Sequence, residues 1–196
     1  MLSVYLLRHG ETSYNADGNR YCGRTDIGLT LKGIKQAETV NGQLNGKHID
    51  AVYSSPLSRA RITAEIATDK QVITDDRIIE VDFGQWEGKT KEEFYKEDPQ
   101  SWNDWAVNPG TAKAGRTGES GDEIVNRVDA FFTEMLEKHA GETIVVVGHN
   151  GINRLYMAHK LGMPLKNYRR IFQENSAITF FELDDKGEFT LKKLNA

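Results

Sequence analysis

The sequence predicts an α/β protein, a three-layer α/β/α sandwich around a mostly parallel central sheet. Short apolar runs alternate with longer amphipathic ones along the chain. The short runs are rich in β-branched residues and lack polar alternation, as in strands covered on both faces. A length of 196 residues, 38% hydrophobic and 28% charged, suits one domain, so residues 1–196 are expected to share one core.

The elements follow in chain order. Val4 to Leu7 reads as a buried strand. Thr30 opens a helix that ends near Gly46. Ala51 to Tyr53 is the second strand, and Ser55-Pro56 reads as an N-cap with proline at the first helical position, for a helix through about Ala67. A polar stretch from about 89 to 118, with Pro99, Trp102, Trp105 and Pro109, breaks the rhythm. It is expected to be a helical insertion over one sheet edge, acting as a lid or merely packing its tryptophans. Ser120 and Glu123 form a capping-box pattern. The helix behind it aligns Ile124, Val128, Phe131, Phe132, Met135 and Leu136 on one face. Thr143 to Val147 is another strand. Ser176–Leu183 and Glu188–Leu194 read as a closing hairpin turning at Asp185-Lys186-Gly187.

Composition excludes several classes of function. Lys+Arg 25 against Asp+Glu 29 leaves a formal charge of −4, and no basic block offers a footprint for nucleic acid. No run approaches the ~20 apolar residues of a membrane span, and the N-terminus lacks the pattern of a secretory signal. Cys22 is the single cysteine, which excludes an intrachain disulfide and fits a reducing compartment. The expected location is cytoplasmic, with no membrane and no nucleic-acid partner.

Three strands run out into polar groups: Arg8-His9-Gly10-Glu11-Thr12, Ser54-Ser55-Pro56-Leu57-Ser58-Arg59, and Gly148-His149-Asn150-Gly151. Open α/β sheets bind ligands at the carboxyl ends of their strands. Parallel neighbours would therefore gather two arginines and two histidines on one rim. Arginine offers a planar fork of donors suited to phosphate. Helix N-termini after residues 55 and 150 would add backbone N–H groups, and Gly10, Gly148 and Gly151 would let the backbone approach the ligand. The expected ligand is a dianionic phosphate on a small metabolite. His48, His139 and His159 lie in or beside amphipathic helices and read as surface or packing residues. Metal-ligand spacings such as His-x-His, His-Glu-x-x-His or paired cysteines are absent, so neither metal nor cofactor is expected.

The Arg8-His9-Gly10-Glu11-Thr12 run resembles the Arg-His-Gly signature of the histidine phosphatase superfamily, which has the phosphoglycerate mutase-like fold. The likeness extends in order through Ser54 to Ala60, Glu80 to Gly88 (Glu-Val-Asp-Phe-Gly-Gln-Trp-Glu-Gly) and Gly148 to Gly151, although some members carry glycine in place of Asn150. The resemblance implies that His9 is the nucleophile that forms a phosphohistidine. It implies that Arg8, Arg59 and His149 clamp the phosphoryl oxygens and that Glu80 is the general acid. The alternative for Glu80 is a strand end in solvent. Asn15, Cys22 and Asn150 are the further expected substrate contacts, with a small buried thiol as the alternative for Cys22.

Cofactor-dependent mutases of this family carry a longer insertion with paired arginines. Here the insertion is short and holds Lys113 and Arg116, so hydrolysis is expected over mutase chemistry. The Phe83-to-Gly88 run and Gly118-Glu119-Ser120 are similar to those of small bacterial phosphatases, including α-ribazole 5′-phosphate phosphatases. Trp102 and Trp105 are candidate stacking surfaces for an aromatic leaving group, or packing residues. The alternatives are a 2,3-bisphosphoglycerate-dependent phosphoglycerate mutase and a non-catalytic phosphate-binding module.

Overall fold

The computed structural model describes all residues, 1–196. Its sheet has six strands: β1 (Leu2–Arg8), β2 (Ala51–Ser54), β3 (Val72–Thr74), β4 (Thr143–Gly148), β5 (Ile178–Leu183) and β6 (Phe189–Lys193). Their spatial order is β3-β2-β4-β1-β5-β6. The first four in that order are mutually parallel, and β5 and β6 add antiparallel strands at one edge. The β5–β6 turn is set by Asp184, whose carboxylate accepts the Lys186 and Glu188 N–H groups at 2.8 and 2.9 Å.

A one-turn helix, α1 (Ser13–Ala16), follows β1. The period-two geometry of a strand divides the core into two layers. In β4, Val145 and Val147 pack with Val40 and Leu44 of α2 (Leu31–Leu44) and with Ala60, Ala64 and Ala67 of α3 (Ser58–Thr68). Ile144 and Val146 face the other way, into α6 (Gly121–Lys138) and α7 (Asn150–Lys160). β1 splits likewise, Val4 and Leu6 to one side and Leu7 to the other. The three-layer sandwich thus follows from central strands whose apolar residues point to both faces of the sheet.

Caps fix most helix starts where expected. The Thr30 hydroxyl accepts the Gly33 N–H at 3.0 Å, and Ser120 and Glu123 form the capping box of α6. The apolar face of α6 is buried as predicted, with Leu136 only partly covered. α3 departs from expectation. It begins at Ser58, not Pro56, and Ser55 does not cap it. The cap arrives from far along the chain: Asp26 accepts both the Ser58 N–H at 2.8 Å and its hydroxyl at 2.7 Å.

The insertion holds two helices, α4 (Lys91–Glu97) and α5 (Pro99–Val107). Its tryptophans are packing residues. Trp86, Phe94, Trp102 and Trp105 form one aromatic cluster, with Trp86 stacked on Phe94 at 4.8 Å and edge-on to Trp105 at 5.9 Å. Arg169 covers Trp102 at 4.3 Å and Lys91 at 4.6 Å, so Trp102 offers no open face for a leaving group. Lys113 pairs with Glu123 and Arg116 with Asp98, fastening the insertion to itself and to α6. No helix is long and apolar enough to cross a membrane.

Candidate active site

The parallel register pairs Arg8 of β1 with Gly148 of β4, so the two strands end level. His9 and His149 therefore emerge side by side, ring centroids 5.1 Å apart, with the His9 N–H donating to the Gly148 carbonyl at 3.1 Å. The His9 ring is oriented by its neighbour: Nδ1 lies 2.7 Å from the Gly10 carbonyl oxygen. A carbonyl can only accept, so Nδ1 carries the proton and Nε2 keeps a lone pair. Burial, reinforced by Arg59 and Arg8, holds His9 well below the usual histidine range. At neutral pH this is a neutral imidazole with a free nitrogen base. His149 is fully buried and neutral for the same first reason, and neither of its ring nitrogens has a partner in the chain.

Arg8 donates through Nη1 to the Gln173 carbonyl at 3.0 Å, while its buried Nε has no partner. Burial lowers its guanidinium to about 10, which leaves it a cation at neutral pH. Arg59 is fully buried behind the cleft instead of standing on its rim. It donates to the carbonyls of Thr25 at 2.8 Å, Gly23 at 2.7 Å and Cys22 at 3.3 Å, and its Nε is left over. The other side of that loop is held by Glu87, which accepts the Gly23 and Thr25 N–H groups at 2.9 and 3.2 Å. Buried donors normally find acceptors. Here Arg8 Nε, Arg59 Nε and the His149 ring form a concentrated group of unsatisfied donors. Such a group suits the oxygens of a phosphoryl group.

Glu80 is buried, not solvated. Its Oε1 accepts the Val81 N–H at 2.9 Å and the Ile152 N–H at 3.1 Å, and Oε2 accepts the Gly151 N–H at 3.1 Å. Burial nevertheless outweighs these bonds and raises its carboxyl above the usual range. Two expectations change as a result. The helix starts read as phosphate cradles already carry carboxylates of this chain, Asp26 at α3 and Glu80 at α7. The motif glycines also serve the chain's own packing: a Cβ on Gly10 would meet the Gly33 carbonyl oxygen at 2.5 Å, and one on Gly151 would meet Glu80 at 2.7 Å.

Arg8, His9, Asn15, Cys22, Glu80 and Asn150 all line one cleft of about 120 Å³. The Asn15 amide oxygen is taken up by Thr12 and Asn175, which turns its nitrogen end into the available donor. Burial pushes the Cys22 thiol up to about 11, so it is an uncharged wall group. His48 and His159 are exposed, and His139 is a packing residue bonded to the Tyr53 hydroxyl at 2.8 Å. A larger, open depression of about 570 Å³ beside α5 contains none of the histidines. No group of three or more His, Cys, Asp or Glu side chains converges to hold a metal.

Several cleft residues were not picked out from the sequence: Arg20, Tyr21, Arg154, Tyr168 and Arg169. Arg154 carried a signal, since it stands four residues after Asn150 on the same helical face. Tyr168 and Arg169 had none. A 3-10 turn at Leu165–Arg170, packed on α7, brings them in from residues that no local pattern connects to the site.

The family model of the histidine phosphatase superfamily (branch 1) matches residues 4–196. The chain belongs to that superfamily. Among histidine phosphatases, Phosphoserine phosphatase 1 of Hydrogenobacter thermophilus is 35% identical over 98% of this chain and 92% of its own. The Adenosylcobalamin/alpha-ribazole phosphatase of Escherichia coli is 30% identical over 100% and 96%. A phosphoserine phosphatase mutant (H9A) of Entamoeba histolytica, solved with phosphoserine, superposes with a TM-score of 0.90 at 32% identity, covering 100% of this chain and 98% of that one. These three relatives are named as phosphatases, while a probable phosphoglycerate mutase of Yersinia pestis is 33% identical over 91% of this chain and 84% of its own.

Proposed function

We propose that this protein is a metal-independent phosphatase, one domain over residues 1–196, that hydrolyses small phosphomonoesters through a phosphohistidine on His9. The observation that carries the reading is the His9 ring: neutral, with Nδ1–H held by the Gly10 carbonyl and Nε2 free among unpartnered arginine and histidine donors.

In the first step the Nε2 lone pair forms the N–P bond as the P–O bond to the leaving group breaks. Arg8, Arg59 and His149 donate to the phosphoryl oxygens, on which negative charge is stabilised. Glu80, whose carboxyl burial raises above the usual range, gives its proton to the departing oxygen when it is in the protonated form. In the second step Glu80, now a carboxylate, takes a proton from water as the water oxygen attacks phosphorus. The N–P bond breaks, its electron pair returns to Nε2, and phosphate leaves. Asn15, Asn150 and Cys22 line the cleft around the ester. The 89–118 insertion supports one wall through the contact of Trp102 with Arg169.

The test is phosphate release from p-nitrophenyl phosphate in EDTA, with trapping of an alkali-stable, acid-labile label on the protein. We expect both in the parent and neither in His9→Ala. Release without a trapped label, or inhibition by EDTA, overturns the reading. Sustained conversion of 3-phosphoglycerate to 2-phosphoglycerate without phosphate release would replace it with a mutase.

A further inference from the structure

The chain has eleven arginines, and six of them hold a carboxylate. Of the five that hold none, Arg8 and Arg59 belong to the phosphoryl clamp. Arg154 and Arg169 line the same cleft, and only Arg170 lies away from it. The distribution is informative because the protein as a whole is acidic, with a formal charge of −4. Carboxylates have been supplied to the arginines elsewhere and withheld from these.

Arg154 and Arg169 are held by aromatic rings. The Arg154 guanidinium carbon lies 5.3 Å from the Tyr168 centroid, and that of Arg169 lies 5.1 Å from the same ring and 4.3 Å from Trp102. Arg169 also donates to the Tyr21 hydroxyl at 3.1 Å. Arg154 reaches the Asn150 amide oxygen only at 3.5 Å, and its buried Nε has no partner. Stacking fixes a guanidinium plane without consuming its N–H donors, so little freedom remains to be lost on binding an anion. Arg20, the other arginine on this wall, is already neutralised by Asp17 and Glu93.

A phosphate ester on His9 is served by Arg8, Arg59 and His149, which leaves two fixed cations facing the rest of the molecule. We infer that Arg154 and Arg169 form a second anion subsite that takes the carboxylate of a small hydroxy- or amino-acid phosphate. The inference rests on the phosphatase reading for the placement of the phosphoryl group. It assigns Arg154 and Arg169 as specificity-determining residues and selects against phosphomonoesters with neutral leaving groups, the ribazole type included. A planar fork matches a carboxylate, and the site's charge stays unmet when that group is missing.

O-Phosphoserine and O-phosphoethanolamine differ only in the carboxylate. Their binding to the His9→Ala protein, measured by calorimetry, tests the subsite without requiring turnover. We expect phosphoserine to bind at least about tenfold tighter. Arg154→Met and Arg169→Met should each erase most of that ratio, and Arg169→Lys should restore part of it. Should a methionine variant fail to fold, Arg169→Gln, at an exposed position, gives the same comparison. Equal affinity for the two esters overturns the inference, as does an equal loss of both in the variants. So does tighter binding of an alkyl bisphosphate than of phosphoserine, which would make the second group a phosphate. Failure of the unmodified protein to release phosphate from both p-nitrophenyl phosphate and O-phosphoserine would count against the phosphatase reading alone, because the binding ratio is read independently.

Discussion

The Glu80 carboxylate sits against the first turn of α7, where Oε2 accepts the Gly151 N–H at 3.1 Å. The contact joins the segment before the insertion to the helix that begins just after His149. It requires a residue without a side chain, since a Cβ at 151 would lie 2.7 Å from Glu80 Oε1 and 2.7 Å from Val81 Cγ2.

Gly151→Ala should therefore act through Glu80. Alanine suits a helix better than glycine, so the fold is retained while the carboxyl is pushed aside. We expect kcat for an alkyl phosphate to fall by at least ~10-fold, within the range that general acid catalysis contributes. The loss on p-nitrophenyl phosphate should be much smaller, and thermal unfolding should show the variant folded. Equal losses on both esters would sever Gly151 from Glu80.

Glu80→Gln separates the acid from the clamp. Burial raises the Glu80 carboxyl, so its protonated form persists above the ordinary carboxylate range and is lost as pH rises through that shifted value. In the parent, turnover of an alkyl phosphate should decline on that alkaline limb. In Glu80→Gln the limb should vanish and the remaining rate should be low and flat. p-Nitrophenyl phosphate, whose leaving group hardly needs a proton, should be far less affected. A pH–rate profile for each ester decides it.

Arg59→Ala should cost both activity and stability. Loss of one donor to the developing charge typically costs about 3–4 kcal/mol, or 10²–10³ in kcat. The same substitution leaves the carbonyls of Cys22, Gly23 and Thr25 without their buried partner. We expect a lower urea midpoint alongside the kinetic defect. A variant that loses turnover at undiminished stability would contradict the bracing of the 22–25 loop.

His9 and His149 both titrate well below the usual histidine range because they are buried. Well above about pH 6.5 neither the folded nor the unfolded chain protonates them, and their contribution to stability is complete. As pH falls below that value the unfolded chain binds protons that the folded chain does not. Stability is then lost, by up to about 1.4 kcal/mol per pH unit for each histidine. The urea midpoint should drop between pH 7 and 5.5, and His149→Gln should drop less. An identical pH dependence in the variant would exclude His149 as a source.

Much of this was legible in the chain because it depends on short-range rules. β-Branched runs without polar alternation marked β1 and β4, and the Thr30 and Ser120 caps marked α2 and α6. Ser55-Pro56 misled because a local cap pattern competes with a tertiary one: Asp26 satisfies the first N–H of α3 from across the loop. For Trp102 and Trp105 the sequence left stacking and packing both open, and the short helix that carries them spends both rings on packing.

By itself the sequence determined which strands end in Arg8-His9 and Gly148-His149, since a strand is specified by the residues within it. Tertiary structure decided the rest. Register between β1 and β4 sets His9 beside His149, and the fold of the 22–25 loop turns Arg59 inward so that only part of its guanidinium is left for a ligand. Burial decides that the His9 ring is neutral and that Glu80 holds its proton longer than a solvated carboxyl. Packing of the Leu165–Arg170 turn on α7 also brings Arg154 and Arg169 to the same cleft, neither paired with a carboxylate. The physical reason is that a hydrogen bond or a shifted proton affinity belongs to the space between side chains. That space exists only once residues over a hundred positions apart have packed together.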